Sequence, residues 1–270
     1  MENYSEILSQ TSHRPFPPPR RPWIMVQTWR DVLFAHWDVD PDYLRRLVPE
    51  QLTLDTYDGR CWVAVTPLVM TDVHPRFIPP LAGMSRFPEL NVRTYVTMNG
   101  KPGVFFFSLD AANIPAVMGA RAAYGLPYFY ARMMADRVGY EVNYYCHRTD
   151  VDSARPEFHG NASPDADMIR EEGVFRARYW PTSQPSRSLP GTLEYFLTER
   201  YCLYSVVRGR VYRADIHHLP WPLQRADAII DTNTMARADS IELPERKPLL
   251  HFARNLTVLV WWPERVQTAA

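Results

Sequence analysis

From Trp23 onward the chain breaks into short runs of β-branched and aromatic residues separated by turn signals. That rhythm restricts it to a closed or sandwiched, largely antiparallel sheet. The runs cover 26–35, 60–69, 90–98, 104–109, 141–147, 174–180, 204–216 and 256–262, and the seventh holds an Arg208-Gly209 hairpin turn or bulge. Helical patterns are fewer and short: 41–47 with Asp40 as its cap, 114–124, 190–201 and 222–230. The polar stretch 149–173 reads as a long excursion and 181–188 as a second loop, and no internal repeat occurs. A chain of 270 residues, 46% hydrophobic, can bury one large core, so 23–270 is read as a single domain. Residues 1–22, with prolines at 15, 17, 18, 19 and 22, form a Pro-rich arm, either a strap packed on that domain or a mobile extension.

Charge narrows the partners. Thirty basic residues balance thirty acidic ones, which leaves no electrostatic footprint for nucleic acid or an anionic membrane. No apolar run approaches the roughly 18 residues of a membrane span and no basic-apolar leader opens the chain, so a cytoplasmic protein is expected. Cys61, Cys146 and Cys202 are odd in number, lack CxxC spacing and sit among apolar neighbours, as buried free thiols do.

One strand carries an unusual alternation. Glu89, Asn91, Arg93 and Tyr95 interleave with Leu90, Val92, Thr94 and Val96, so one face is polar and the other mostly apolar. Turned inward, the polar face brings a carboxylate, an amide and a guanidinium into one cavity; turned outward, it is simply wet. The pair His217-His218 is the most metal-like feature. Adjacent strand residues point to opposite faces, and no partner stands at ligand spacing, so hydrogen-bonded strand histidines and no metal are expected. GxSxG, GxGxxG and phosphate-cradling glycine loops are missing from the sequence, and no cofactor is expected.

Several runs carry a resemblance that covers nearly the whole chain: WRDVLFAHWDVDPDYLRRLVPEQLTLDTYDGRCWVAV, SRFPELNVRTYV, GVFFFSLDA, FLTERYCLY and IHHLPWPLQ. They resemble the YqjF-like proteins, an uncharacterised branch of the acetoacetate-decarboxylase-like superfamily. The segment GARAAYGLPYFYARM is similar to that superfamily's Gly-Arg-Glu, Gly-x-Pro-Lys-Lys signature, in which the first lysine forms a Schiff base with a keto acid. Here Tyr128 and Phe129 stand at the two lysine positions, and neither can form an imine. The chain's two lysines, Lys101 and Lys247, lie in segments that read as exposed turns.

The resemblance implies a mainly β (α+β) fold, an antiparallel β-barrel of the acetoacetate decarboxylase type with a few short flanking helices. It places Glu89 where relatives carry a pocket glutamate and Arg30 where they carry a substrate-binding arginine. An arginine suits a carboxylate because its planar fork binds bidentately, although Arg30 also has Asp31 beside it for a surface pair. Trp62 falls near a second pocket glutamate of the relatives, which implies a drier cavity. Arg121 keeps the arginine of the signature, to hold the turn or to touch substrate. The Tyr128 hydroxyl is placed near the lost imine nitrogen, either as acid or hydrogen-bond donor to a carbonyl oxygen or as a packed aromatic rim. The implied function is acid/base chemistry on a small carbonyl or carboxylate compound, such as enolisation, dehydration or cyclisation. The alternative is a small-molecule-binding barrel without catalysis. Relatives assemble, so a homo-oligomer is expected.

Overall fold

The computed structural model describes residues 4–81, 83, 85–113, 125–149 and 172–267. Its strands are β1 (Met25–Val39), β2 (Thr53–Leu54), β3 (Cys61–Pro75), β4 (Phe87–Met98), β5 (Lys101–Ala111), β6 (Tyr128–Val138), β7 (Glu141–Arg148), β8 (Val174–Pro181), β9 (Cys202–Val207), β10 (Arg210–His217), β11 (Gln224–Asn233), β12 (Leu249–Val260) and β13 (Glu264–Val266). Short helices α1 (Ser5–Ser9), α2 (Pro41–Arg45), α3 (Leu193–Thr198) and α4 (Met235–Ala238) flank them. The Asp40 carboxylate caps α2 by accepting from the Tyr43 N–H at 2.9 Å. Arg208 and Gly209, both at positive φ, turn β9 into β10.

Hydrogen-bonded ladders run β5-β6-β7-β8-β11-β12-β1-β3-β4 and return to β5, so nine strands close a barrel. Two long strands then use one edge twice. β5 carries β6 at Leu109–Ala111 and β9 at Val104–Phe105, while β12 carries β11 at Gln224–Arg225 and β10 at Ile216–His217. The β9–β10 hairpin therefore closes a second circuit that shares β12, β1, β3, β4 and β5 with the first. The two ladders that join β5 to β6 and to β9 are parallel; the others are antiparallel.

The shared wall is buried on both faces, which the sequence pattern of β4 did not convey. Leu33, Val63 and Val92 on one face belong to a cluster with Tyr144, Phe175 and Tyr179 of β7 and β8. Phe34, Trp62 and Tyr95 on the other pack with Tyr128 of β6, Leu197 of α3, Trp221 and Leu223. Burial of large apolar and aromatic side chains at roughly 25 cal/mol per Å² makes these two layers the main source of stability.

One expected helix is a strand. Residues 222–230 begin with Pro222 and hold two alanines, which reads as helix, but 224–233 form β11. Ala226, Ala228 and Ile230 pack on the core while Arg225, Asp227, Ile229 and Asp231 face out, a period of two that pairing with β8 enforces. The expected helix at 114–124 lies outside the described residues. Of the N-terminal arm, Tyr4, Ile7 and Leu8 pack on Trp23, Val26, Leu259 and Trp261.

Candidate active site

Glu89 sits on β4 opposite Leu68 of β3 and Ala111 of β5, on the face covered by α3 and the 219–223 segment. Only 3% of it is exposed. Its carboxylate accepts a hydrogen bond from the Tyr128 hydroxyl at 2.8 Å and another from the Asn91 side chain. Burial pushes its pKa from the ordinary carboxylate range up to about 7; the two hydrogen bonds pull the other way, and the charge of Asp110 adds to the rise. No arginine among the described residues pairs with it. The Glu89 backbone carbonyl is fixed from the opposite face by the Tyr144 hydroxyl, 2.7 Å away.

Tyr128 reaches Glu89 because of local turn chemistry. Gly125 adopts a positive φ, and the Tyr128 N–H closes a tight turn about Pro127 onto the Leu126 carbonyl at 2.8 Å. The chain then enters β6 with Tyr128 beside Leu109. Strand alternation sends Phe129 the other way, under the Arg148 guanidinium, whose centre lies 4.1 Å from the ring. Arg148 grips both carboxylate oxygens of Asp110 at 2.8 Å and reaches Asp239 at 2.8 Å, a buried ion triad that fixes β5, β7 and the segment after α4.

Beyond Glu89 a polar layer continues across the same face. His36, Ala64 and Arg93 stand in one row on β1, β3 and β4, and Thr66 faces Asn91 in the next. The Arg93 guanidinium lies 5.3 Å from the centre of the Phe34 ring. The Tyr95 hydroxyl has a single proton, which it gives to the Leu197 carbonyl at 2.8 Å; His36 Nε2, 2.6 Å away, is therefore the donor to Tyr95. Burial, Arg93 and His251 hold the His36 pKa well below the ordinary imidazole value, so the ring is neutral and its Nδ1 is a bare acceptor. Five side-chain atoms of this layer are buried and find no hydrogen-bond partner among the described residues: His36 Nδ1, Trp62 Nε1, Thr66 Oγ1, Asn91 Oδ1 and Arg93 Nε. Buried polar atoms are ordinarily satisfied, so their concentration on one interior face singles that face out as the candidate site.

Arg30 departs from the expectation. Its side chain is 47% exposed, hydrogen-bonded to Thr71 Oγ1 at 2.9 Å and 3.8 Å from Asp72, on the outside of the sheet. Unbroken alternation would align it with Val32, Phe34 and His36. Asp31, at a φ of 49°, interrupts that alternation, and β1 carries one extra residue relative to β3 between Arg30 and Ala35. Asp31 is held there by Arg254 at 2.7 Å and by the Tyr179 hydroxyl on its carbonyl at 2.8 Å. Trp62 and Arg93 lie on the inner face with Glu89 and Tyr128, whereas Arg121 lies outside the described residues.

His36, Thr66 and His251 were not expected at this site. His36 was findable from its phase with Phe34 on β1. His251 is opposite Phe34 on β12, 6% exposed, with an unsatisfied Nδ1. It also lines a surface concavity of about 430 Å³ together with Leu223, Glu194, Arg225 and the loop around Ser183–Ser188. His251 and Leu223 are thus buried side chains that also line this concavity.

His217 and His218 serve structure. His217 Nε2 meets the Ile7 carbonyl at 2.7 Å, His13 Nε2 meets the His218 carbonyl at 2.9 Å, and Arg14 reaches the Ile216 carbonyl at 2.7 Å. They seat the N-terminal residues on the barrel. The three cysteines are free and buried.

A nine-stranded, mostly β barrel with a few short helices is the architecture of the acetoacetate decarboxylase-like fold. Solved structures agree: the enduracididine biosynthesis enzyme MppR, complexed with the condensation product of pyruvate and imidazole 4-carboxaldehyde, is similar at a TM-score of 0.60 and 11% identity, over 91% of this chain and 90% of that one. Acetoacetate decarboxylase from Legionella pneumophila subsp. pneumophila str. Philadelphia 1 is similar at a TM-score of 0.57 and 13% identity, over 99% and 96%. Within that fold the chain belongs to the family DUF2071, described as an uncharacterized conserved protein, which matches residues 26–257. Uncharacterized protein YqjF of Bacillus subtilis (strain 168) is 46% identical over 239 residues, 88% of this chain and 91% of the relative.

Proposed function

We infer that the protein performs acid/base chemistry on a small carbonyl or carboxylate compound held against β4, without a Schiff base. The observation that carries this reading is Glu89, buried, bonded to Tyr128 and titrating at about 7, so that near neutral pH it can both take and return a proton. Proton removal next to a carbonyl leaves negative charge on the carbonyl oxygen. The Tyr128 hydroxyl, which donates to Glu89 before reaction, would turn its proton to that charge once Glu89 has itself been protonated, and Arg93 and Trp62 would supply further N–H groups to orient an anionic substrate. Enolisation needs no more than this set, and dehydration or cyclisation would follow from the same enol. The fold-mate MppR holding a product built from pyruvate supports a carbonyl ligand.

The test is proton exchange. Small oxo compounds incubated with the protein in deuterated water are expected to lose the signal of the proton next to the carbonyl in NMR spectra. Glu89→Gln should keep ligand affinity within about tenfold, since the amide preserves shape and one acceptor, while abolishing exchange. Binding without exchange in the parent protein would replace this reading by that of a binding barrel.

A further inference from the structure

The unsatisfied atoms of the inner layer are of two kinds, and the mixture specifies a guest. Trp62 Nε1 and Arg93 Nε can only donate. His36 Nδ1 can only accept, because its Nε2 proton is committed to Tyr95, whose own proton is committed to Leu197. Asn91 Oδ1 can only accept, its amide nitrogen being turned to Glu89. Thr66 Oγ1 can do either. All five stand on one face: His36 and Arg93 flank Ala64, whose side chain is a single methyl group, and the Phe34 ring lies 6.1 Å from the His36 ring and 5.3 Å from the Arg93 guanidinium.

A plain oxo acid has acceptors only. It could answer Arg93 and Trp62, yet would leave His36 Nδ1 and Asn91 Oδ1 dehydrated and unpaired, a loss of about tenfold or more in affinity for each. Sites that hydrogen-bond a substrate hydroxyl or N–H reject the analogue lacking it more strongly than apolar pockets reject a changed methylene. We propose, resting on the assignment of this interior as the ligand site, that the ligand is a carbonyl or carboxylate compound that also carries a hydroxyl or N–H donor, recognised by His36 and Asn91.

Calorimetric titration with shape-matched pairs tests this on the whole protein: 2-oxobutanoate against 3-hydroxypyruvate, and 4-methyl-2-oxopentanoate against 2-oxosuccinamate. The donor-bearing member of each pair should bind at least about tenfold tighter. Asn91→Leu and His36→Phe should each erase about that factor by weakening the donor-bearing member alone. On the unmodified protein, ¹⁵N NMR should show an unprotonated His36 Nδ1 whose resonance moves when the donor-bearing member is added, a readout independent of whether either variant folds. Equal or tighter binding of the donor-free members, a preference that survives in both folded variants, a protonated Nδ1, or no binding of any of the four overturns the proposal. Proton exchange run on the same samples separates the two readings: preference without exchange removes the enzymatic role alone, and exchange without preference removes the donor requirement alone.

Discussion

Replacing Glu89 by glutamine should make the protein more stable in a pH-dependent way. In the unfolded chain the carboxyl titrates at its ordinary 4.5, whereas in the folded protein burial places it at about 7. The folded state holds the proton more tightly, so this group's contribution to stability falls as pH rises from about 4.5 to about 7. Below that window both states are protonated, and above it both are ionised. Across the window, at about 1.4 kcal/mol per pH unit, the loss reaches about 3 kcal/mol. Glutamine fills the same space, still accepts from Tyr128 and does not titrate. Urea denaturation of parent and variant is the assay, and subtracting the two pH profiles cancels the other titrating groups. The difference should be near zero at about pH 4 and favour Glu89→Gln by about 3 kcal/mol at about pH 8, a gain of about 6 °C or more in melting temperature. A difference that does not change with pH, or one that favours the parent at high pH, would refute burial of the carboxylate as the source of its raised pKa.

Tyr128→Phe removes a hydrogen bond to the ionised carboxyl, worth about 1.5–3 kcal/mol, so the Glu89 pKa should climb by about one to two units. Carboxyl ¹³C NMR checks this, and a value at or below that of the parent contradicts the bond. Borohydride added with pyruvate or acetoacetate should leave no covalent adduct by mass spectrometry, because Lys101 lies at the start of β5 over the Phe16 ring and Lys247 is exposed; a trapped mass on either lysine ends that reasoning. Arg148→Met strips Asp110 and Asp239 of a shared buried counter-charge and should cost about 3–5 kcal/mol in denaturant unfolding. A loss below about 1 kcal/mol would show that the triad is not what ties β5 to β7.

The strands were legible where their own composition dictated them. β3, β4, β7 and β8 are rich in β-branched and aromatic residues, and the Glu89–Tyr95 alternation marks the polar face of β4 in the sequence itself. β11 was not legible because its alanines and Pro222 favour helix in isolation, and only the neighbouring β8 selects the extended form. Arg30 was misplaced for a related reason: a single left-handed residue, Asp31, reverses strand phase, and an aspartate gives little notice of adopting that conformation. The phase of His36 with Phe34 shows its face, but its tautomer is set by Tyr95, which stands 59 positions away, so no local pattern announces its role as an acceptor.

The closure of β1 against β12 has a kinetic meaning. Leu33 pairs with Phe252, more than 200 residues later, and until β12 is synthesised one edge of β1 has no ladder to join. During translation the ribosome therefore displays a long apolar strand edge for many seconds, at elongation rates of about 5–20 residues per second. A nascent chain of this topology should depend on trigger-factor-like holding far more than its final stability would suggest, and slowing elongation downstream of β1 should raise the aggregated fraction without altering the native protein.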